Sequence, residues 1–388
     1  MLVLQLVTVS QALQTVKEGA NVLGFLLALM VLSALLDRAG FFEWAAIWAA
    51  RASKGNGKSL YRNVFILGAM TTAILSLDTT AIILTPIVVA FVQRLKLEAR
   101  PFLIACAFVA NTGSLLFPIS NLTNLLYQEA FNFSFASFTE IMALPQIVAL
   151  LINYWLFQLL FKKSIPDNFD ESLLPEPATA ISDKPFFSGS LTVLACIVIG
   201  YFIASLNHVP PVVVASVGSA ILLVWAIIRR SVDQGILKDI SWSLFPFVVG
   251  LFIVIRGVEN IGLAKLAGGL AKACDRMPIL GMPCLSSVTA LGSNIINNIP
   301  MALLSISALK TAHCNAADQY AALIGCNLGP NLTIAGSLAT MLVISSARKR
   351  GENLGAMEFL RIGLITTPAL VLGTSFTLRL LTPIISGK

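Results

Sequence analysis

The sequence predicts an all-α polytopic membrane protein with the layout of an inverted-repeat transporter, about 8 spans plus two re-entrant hairpins and two broken helices. Three observations predict it. Of 388 residues 57% are hydrophobic and 12% are charged, against roughly 25% charged residues in a soluble domain. Apolar runs of span length recur along the whole chain. One order of elements appears twice, and the positive charges fall mostly on one side of both copies.

A hydrocarbon core of about 30 Å takes roughly 20 residues of helix. Spans by that rule fall at 19–37, 101–127, 143–161, 188–206, 211–228, 242–258, 321–345 and 359–383. The first residues lack a basic leader and a clear cleavage site, so they do not read as a signal peptide; they read either as a short peripheral helix or as the remnant of a longer one. Two further stretches, 64–93 and 279–309, are too long for one span and carry polar residues at their centres. In the first these are Ser76 to Thr80; in the second they are Ser293, Asn294, Asn297 and Asn298, with Pro300 following. Each reads as a hairpin whose tip is buried in protein or lines a cavity, since lipid does not tolerate open backbone.

Each hairpin is followed by an interrupted span. Asn111 to Ser114, Pro118 and Ser120 to Asn124 break the first; Asn327 to Asn331, Thr333 and Gly336-Ser337 break the second. Gly and Pro weaken the helix there, and Asn, Ser and Thr offer partners to the freed backbone groups. The chain thus divides into a first inverted repeat at 1–163 (span, amphipathic stretch 41–54, hairpin 64–93, broken helix 101–127, span) and a cytoplasmic linker at 164–187. Two connecting spans at 188–228 follow, then a second inverted repeat at 229–388 (span, amphipathic stretch 260–275, hairpin 279–309, broken helix 321–345, span).

Charge sets the orientation. With 51–62 placed in the cytoplasm, the cytoplasmic segments hold 18 Lys and Arg and the outer ones seven, from Lys17 to Lys388. That bias makes the halves inverted relative to each other; the expected location of this helical polytopic chain is the cell's inner (plasma) membrane. The polar run from 162 to 187, with Pro166, Pro175, Pro177 and five acids, reads as a flexible connector.

Other classes lack their signatures. The net charge of +7 is dispersed in short tracts rather than gathered on one face, so no nucleic-acid partner is expected. The six cysteines are scattered and indicate neither a zinc site nor a disulfide framework. Gly57-Lys58-Ser59 resembles the end of a P-loop, but Ala52 holds the position of its leading glycine, so no nucleotide site is expected. His208 and His313 fall at outer ends without metal partners at motif spacing. No cofactor is expected, and with no nucleophile or metal motif the chain is not expected to be an enzyme.

Asp78 is the sharpest single residue. An acid within an apolar stretch costs a few kcal/mol on insertion scales, and such groups mark ion or proton pathways; a carboxylate capping the second hairpin arm is the plainer reading. The asparagines form the constellation around it, because an amide both donates and accepts. Amides and hydroxyls with one acid suit a small polar solute, Na⁺ or H⁺. Cys326, beside Asn327, is a candidate metalloid contact, with a buried small hydrophobe as the alternative.

Several motifs together resemble the arsenical-resistance permeases, the arsenite/antimonite efflux carriers of the ion transporter superfamily. They are Ser76–Val89 (SLDTTAIILTPIVV), Ser120–Asn124 (SNLTN), Asn297–Pro300 (NNIP), Asn327–Leu342 (NLGPNLTIAGSLATML) and Asp37–Ala46 (DRAGFFEWAA). At the first tip Leu77 stands where that family usually shows Asn. The resemblance implies proton-coupled export of arsenite or antimonite by alternating access, a homodimer in the lipid bilayer, and in some members a separate ATPase subunit. Asp78 then exchanges the proton, while Asn111, Ser120, Asn121, Thr123, Asn297, Asn298, Asn327, Thr333 and Ser337 shape the solute pocket. Two other readings stay open: a Na⁺-coupled symporter of a small inorganic or carboxylate anion, and a passive channel for neutral solutes.

Overall fold

A computed structural model describes residues 6–231, 235–381 and 385. Lys388, counted above in the outer tail, lies outside the described residues. The amphipathic helix α1 (Val9–Glu18) opens with Thr8 and Gln11 capping each other's backbone, and Arg256 holds its end through Glu18 at 3.1 Å. The span α2 (Ala20–Arg38) then turns at Gly40, whose φ of +85° favours glycine, into the amphipathic α3 (Phe41–Arg51).

The first hairpin is α4 (Gly57–Ile74), a break at Leu75 and Ser76, and a return arm of α5 (Leu77–Thr79), a π-helical turn (Thr80–Leu84) and α6 (Thr85–Arg94). Pro86 explains the wide turn. It has no N–H to donate and its ring crowds the preceding turn, while Thr85 Oγ1 takes up the Thr80 carbonyl at 2.8 Å. Such π bulges recur at functional sites. The broken helix follows as α7 (Arg100–Thr112) and α8 (Leu122–Phe131), and α9 (Phe135–Leu160) closes the first half.

Two spans connect the halves, α10 (Lys184–Leu206) and α11 (Pro211–Ile228). After the short α12 (Ile236–Asp239), the same order of elements returns: the span α13 (Leu244–Asn260) and the amphipathic α14 (Leu263–Asp275). The second hairpin is α15 (Gly281–Ile296) and α16 (Asn298–Ala312), the second broken helix α17 (Ala316–Leu328) and α18 (Leu338–Arg348), and the last span α19 (Ala356–Leu380). Every residue of α7 from Pro101 to Thr112 and nearly all of α17 are buried, whereas α9, α10 and α11 turn Leu151, Ile199 and Val217 outward. The broken helices are therefore the core, and the unbroken spans are the face offered to lipid.

Three expectations change. The helix breaks are shorter than the polar clusters: only Leu75–Ser76 and Asn297 interrupt the hairpins, and Ser293 and Asn294 are helical. The polar run after α9 is not a free tether. Ile165 and Leu174 are buried, Phe169 N donates to Gly55 O at 2.8 Å, and Arg51 donates to Pro175 O at 2.9 Å. Apolar residues set among the acids let it lie along the ends of α3 and α4. Finally, Cys274 and Cys284 are disulfide-bonded. Ten residues of separation carry no motif; only the fold-back of α14 onto α15 brings their Cα atoms to 5.6 Å.

Asp183 ties α10 to α11. Arg229 donates to its carboxylate at 2.9 and 3.1 Å and Ser231 at 2.8 Å, while the carboxylate caps Phe186 N at 3.2 Å. The Arg229 hydrogen bond, then that of Ser231, pull the Asp183 carboxyl from 3.8 to about 2. A lowered folded pKa stabilises above the unfolded value and is lost as pH falls through the folded one. Asp183→Asn should therefore flatten the acid limb of the thermal-stability profile between pH 4 and pH 2 and leave its shape unchanged above pH 5. Melting the detergent-solubilised protein across that range checks it.

Candidate solute and ion site

The first hairpin tip is built from hydroxyls. Ser76 caps the return arm, its Oγ accepting from Thr79 N at 3.2 Å. Thr79 Oγ1 lies 2.8 Å from Ser33 Oγ on α2, and the Thr72 and Thr80 hydroxyls are 2.8 Å apart. Because Ser76 makes the cap, Asp78 is free of that task. Its carboxylate has no hydrogen-bond partner among the described residues. It faces a cavity of about 470 Å³ between α2, the return arm and α8, lined also by Ser33, Asp37 and Asn121. The cavity reaches Lys238, Asp239 and Arg350, at the end of the molecule where the basic residues gather, and Arg38 pairs with Asp239 there at 2.7 Å.

The second tip turns on Asn297 alone, at φ +76° and ψ 156°. A non-glycine residue held there costs on the order of 1–3 kcal/mol, and the surroundings must enforce it. Asn297 Nδ2 donates to Ala335 O at 3.1 Å, which pins the tip to the second broken helix. A void of about 20 Å³, room for one water-sized species, lies between the tips and is lined by Asp78, Asn121, Asn298 and Ser337. Asn298 Oδ1 is buried with no partner. One acidic residue and one amide residue thus line the same small space.

Most of the remaining amides pair with side chains across the two halves. Asn327 Nδ2 donates to Asn124 Oδ1 at 2.5 Å, and Thr123 Oγ1 donates to Asn327 Oδ1 at 2.5 Å. In the matching place, Asn111 Nδ2 donates to Thr340 Oγ1 at 3.1 Å and to Asn331 Oδ1 at 3.0 Å. Each half's Asn-x-Gly amide therefore bonds the other half's second helix segment. Ser120 Oγ donates to Ala73 O at 2.7 Å, and Thr333 Oγ1 to Asn294 Oδ1 at 2.7 Å. Asn121 and Ser337 cap α8 and α18 through Thr123 N and Ala339 N.

Of the residues singled out in the sequence, Asp78 and Asn121 line the large cavity, and Asn298 and Ser337 join them at the small void. Asn111, Ser120, Thr123, Asn297, Asn327 and Thr333 line neither. Cys326 is fully buried, its sulfur 3.8 Å from Ser305 Oγ, and it too lines neither. Sequence reading missed Gln146 and Asn153 on α9. Gln146 Oε1 accepts from Leu115 N and Leu116 N, and its Nε2 donates to Thr112 O, so one side chain closes the first break. Asn153 accepts from Thr112 Oγ1 at 2.9 Å. Two amides seven residues apart, and so on one helix face, were the available signal.

Residues 2–381 match the family of arsenical pump membrane proteins. The chain is 33% identical over 375 residues to the arsenical pump membrane protein of Escherichia coli K12, covering 92% of this chain and 87% of that one. It is 32% identical over 356 residues to the Yersinia enterocolitica arsenical pump membrane protein, covering 89% and 83%. Among solved structures, the YdaH transporter of Alcanivorax borkumensis, described as having an unusual topology, superposes with a TM-score of 0.64. That match has 16% identity and covers 96% of this chain and 87% of the other, a likeness of fold.

Asn327→Ala should orphan Thr123 and Asn124 in the core, costing about 1–3 kcal/mol for each group left unpaired. In a double-mutant cycle with Asn124→Ala the losses should fall short of additivity by about 1 kcal/mol or more. Unfolding in detergent measures it; strictly additive losses would show that the two amides do not act together.

Proposed function

The chain belongs to the arsenical pump membrane protein family, and on that premise we propose that it exports arsenite or antimonite in exchange for protons. It is a multi-pass inner-membrane transporter of arsenicals, not an enzyme. The observation that carries the exchange reading is Asp78, a carboxylate with no hydrogen-bond partner among the described residues, at the head of a cavity of about 470 Å³. The positive-inside rule puts the mouth of that cavity, at Lys238 and Arg350, in the cytoplasm.

Arsenite is a neutral trihydroxide at physiological pH. An ionised Asp78 accepts hydrogen bonds from its hydroxyls, and Asn121 and the Ser33 and Thr79 hydroxyls supply further donors and acceptors. A proton arriving at Asp78 turns one acceptor oxygen into a donor and removes the charge that strengthens the other, so solute and proton compete for one carboxylate. Competition at a site that faces one side at a time is sufficient for exchange, and the proton gradient then drives the solute outward. Asn298, which lines the small void together with Asp78, would offer its amide to the acid or to a bridging water. The walls add no fixed charge at the tips beyond Asp78, which favours a neutral solute over an anion.

Everted vesicles test the reading. An imposed inside-acid gradient should drive arsenite accumulation, and Asp78→Asn should lower the gradient-driven component by about tenfold or more, the loss expected when a carboxylate that carries a proton cannot titrate. Accumulation that follows a Na⁺ gradient and ignores pH would overturn the proton reading. Equilibration without accumulation under either gradient would mark a channel.

A further inference from the structure

A second cavity of about 410 Å³ lies at the opposite end of α2 from the basic mouth. It is lined by Asn21, Gln128, Glu129 and His208, and it shares two residues with the large cavity, Phe25 and Leu125. Both shared residues are buried, at 4% and 6% exposure, so they divide the two spaces. The division has two layers, and helical spacing aligns them. Asn21 and Phe25 lie four residues apart on α2, and Leu125 and Glu129 four apart on α8, so each pair stands on one helix face. In the outer layer Asn21 Nδ2 donates to Glu129 Oε1 at 3.0 Å. In the inner layer Phe25 and Leu125 form the partition, with the Phe25 ring centroid 6.4 Å from that of Tyr201 on α10.

We infer that this two-layer contact between α2 and α8 is the outer gate: the Asn21–Glu129 hydrogen bond is its latch, Phe25 and Leu125 are its plug, and the second cavity is the vestibule through which the solute leaves. The inference rests on the transport reading for the identity of the solute, but not for the gate. The vestibule suits a neutral, hydroxylated solute. Asn21, Gln128 and His208 among its lining residues add donors and acceptors, and the apolar plug denies passage to water while closed. With the basic mouth closed, separating α8 from α2 by the width of one side chain opens the cavity at Asp78 to the vestibule, so that the site faces one side at a time. The α2 helix is the common wall: it holds Ser33 against the hairpin tip at one level and Asn21 against Glu129 at another. A shift of the tip against α2 therefore reaches the latch through one rigid helix.

Two measurements test the gate. In the first, Asn21→Cys and Glu129→Cys are bridged by a short bifunctional methanethiosulfonate in right-side-out membranes, and arsenite exchange is followed. The bridged protein should lose at least tenfold in exchange rate and recover it on reduction; exchange at the unbridged rate in fully bridged protein would overturn the gate. The second needs no substrate. Met30→Cys, in the large cavity, is labelled from outside with a membrane-impermeant thiol reagent, and the same protein without that cysteine supplies the background. Labelling should be slow in the otherwise wild-type chain and at least tenfold faster when Phe25→Ala or Glu129→Ala is added. Equal labelling in all three would overturn the proposal. A wild-type chain that moves no arsenite sinks the transport reading instead, and the labelling result still decides the gate.

Discussion

The fold depends on one constraint: backbone that leaves the helix at the depth of the bilayer must find hydrogen-bond partners within the protein. Both broken helices meet it with side-chain amides. Gln146 alone serves Leu115 N, Leu116 N and the Thr112 carbonyl, and Asn294 Nδ2 serves Gly329 O at 2.8 Å. The partners come from other elements, so closing a break also fixes how those elements pack. Asn327 to Asn124 and Asn111 to Thr340 extend the same device across the halves. The polar residues that make these helices breakable are the ones that bolt the two halves together.

Against that background the groups beside the cavity stand out. Asp78 and Asn298 line a shared void, and no hydrogen bond among the described residues engages the Asp78 carboxylate, while Asn121 and Ser337 beside it are engaged as helix caps. Polar groups in a low-dielectric interior are costly to leave unpaired. Leaving a carboxylate open at the head of a cavity, where the neighbouring Asn121, Ser76 and Thr79 are engaged, keeps it available for something that comes and goes. The hydroxyls of Ser33, Ser76 and Thr79 surround the acid and pair with one another or with the backbone, which holds the tip without neutralising it.

Rigidity and motion are divided by the same logic. Close approach of α15 to α17 leaves no room at Gly329, where an added Cβ would lie 2.4 Å from Ala290 Cα, so that contact behaves as one body. The contacts of α2 with α8 are of another kind: a single side-chain hydrogen bond and two apolar residues beside open cavities. Motion is easiest where few groups must be re-satisfied.

Composition and span length determined the class of this protein, because a chain so apolar and so poor in charge has few other ways to satisfy its backbone in lipid. The order of elements was equally legible: the span at 19–37 became Ala20–Arg38, and the stretch at 211–228 became Pro211–Ile228. Breaks were visible as clusters of Asn, Ser, Gly and Pro, and Asp78 as an acid where an acid is expensive. What the chain alone left undecided was which amides brace and which face the cavity. Asn, Ser and Thr are chosen for both tasks for the same reason, their capacity to donate and accept, so residue type does not separate Asn327 from Asn298. Only the packing of one half on the other decided it, by bringing residues about 200 positions apart into contact and leaving a space between two tips. The latch at Asn21 and Glu129, the docking of the polar run on α3, and the bond between Cys274 and Cys284 were decided in the same way. Each joins residues whose local sequence says nothing of the other, and tertiary proximity is the sole source of that information.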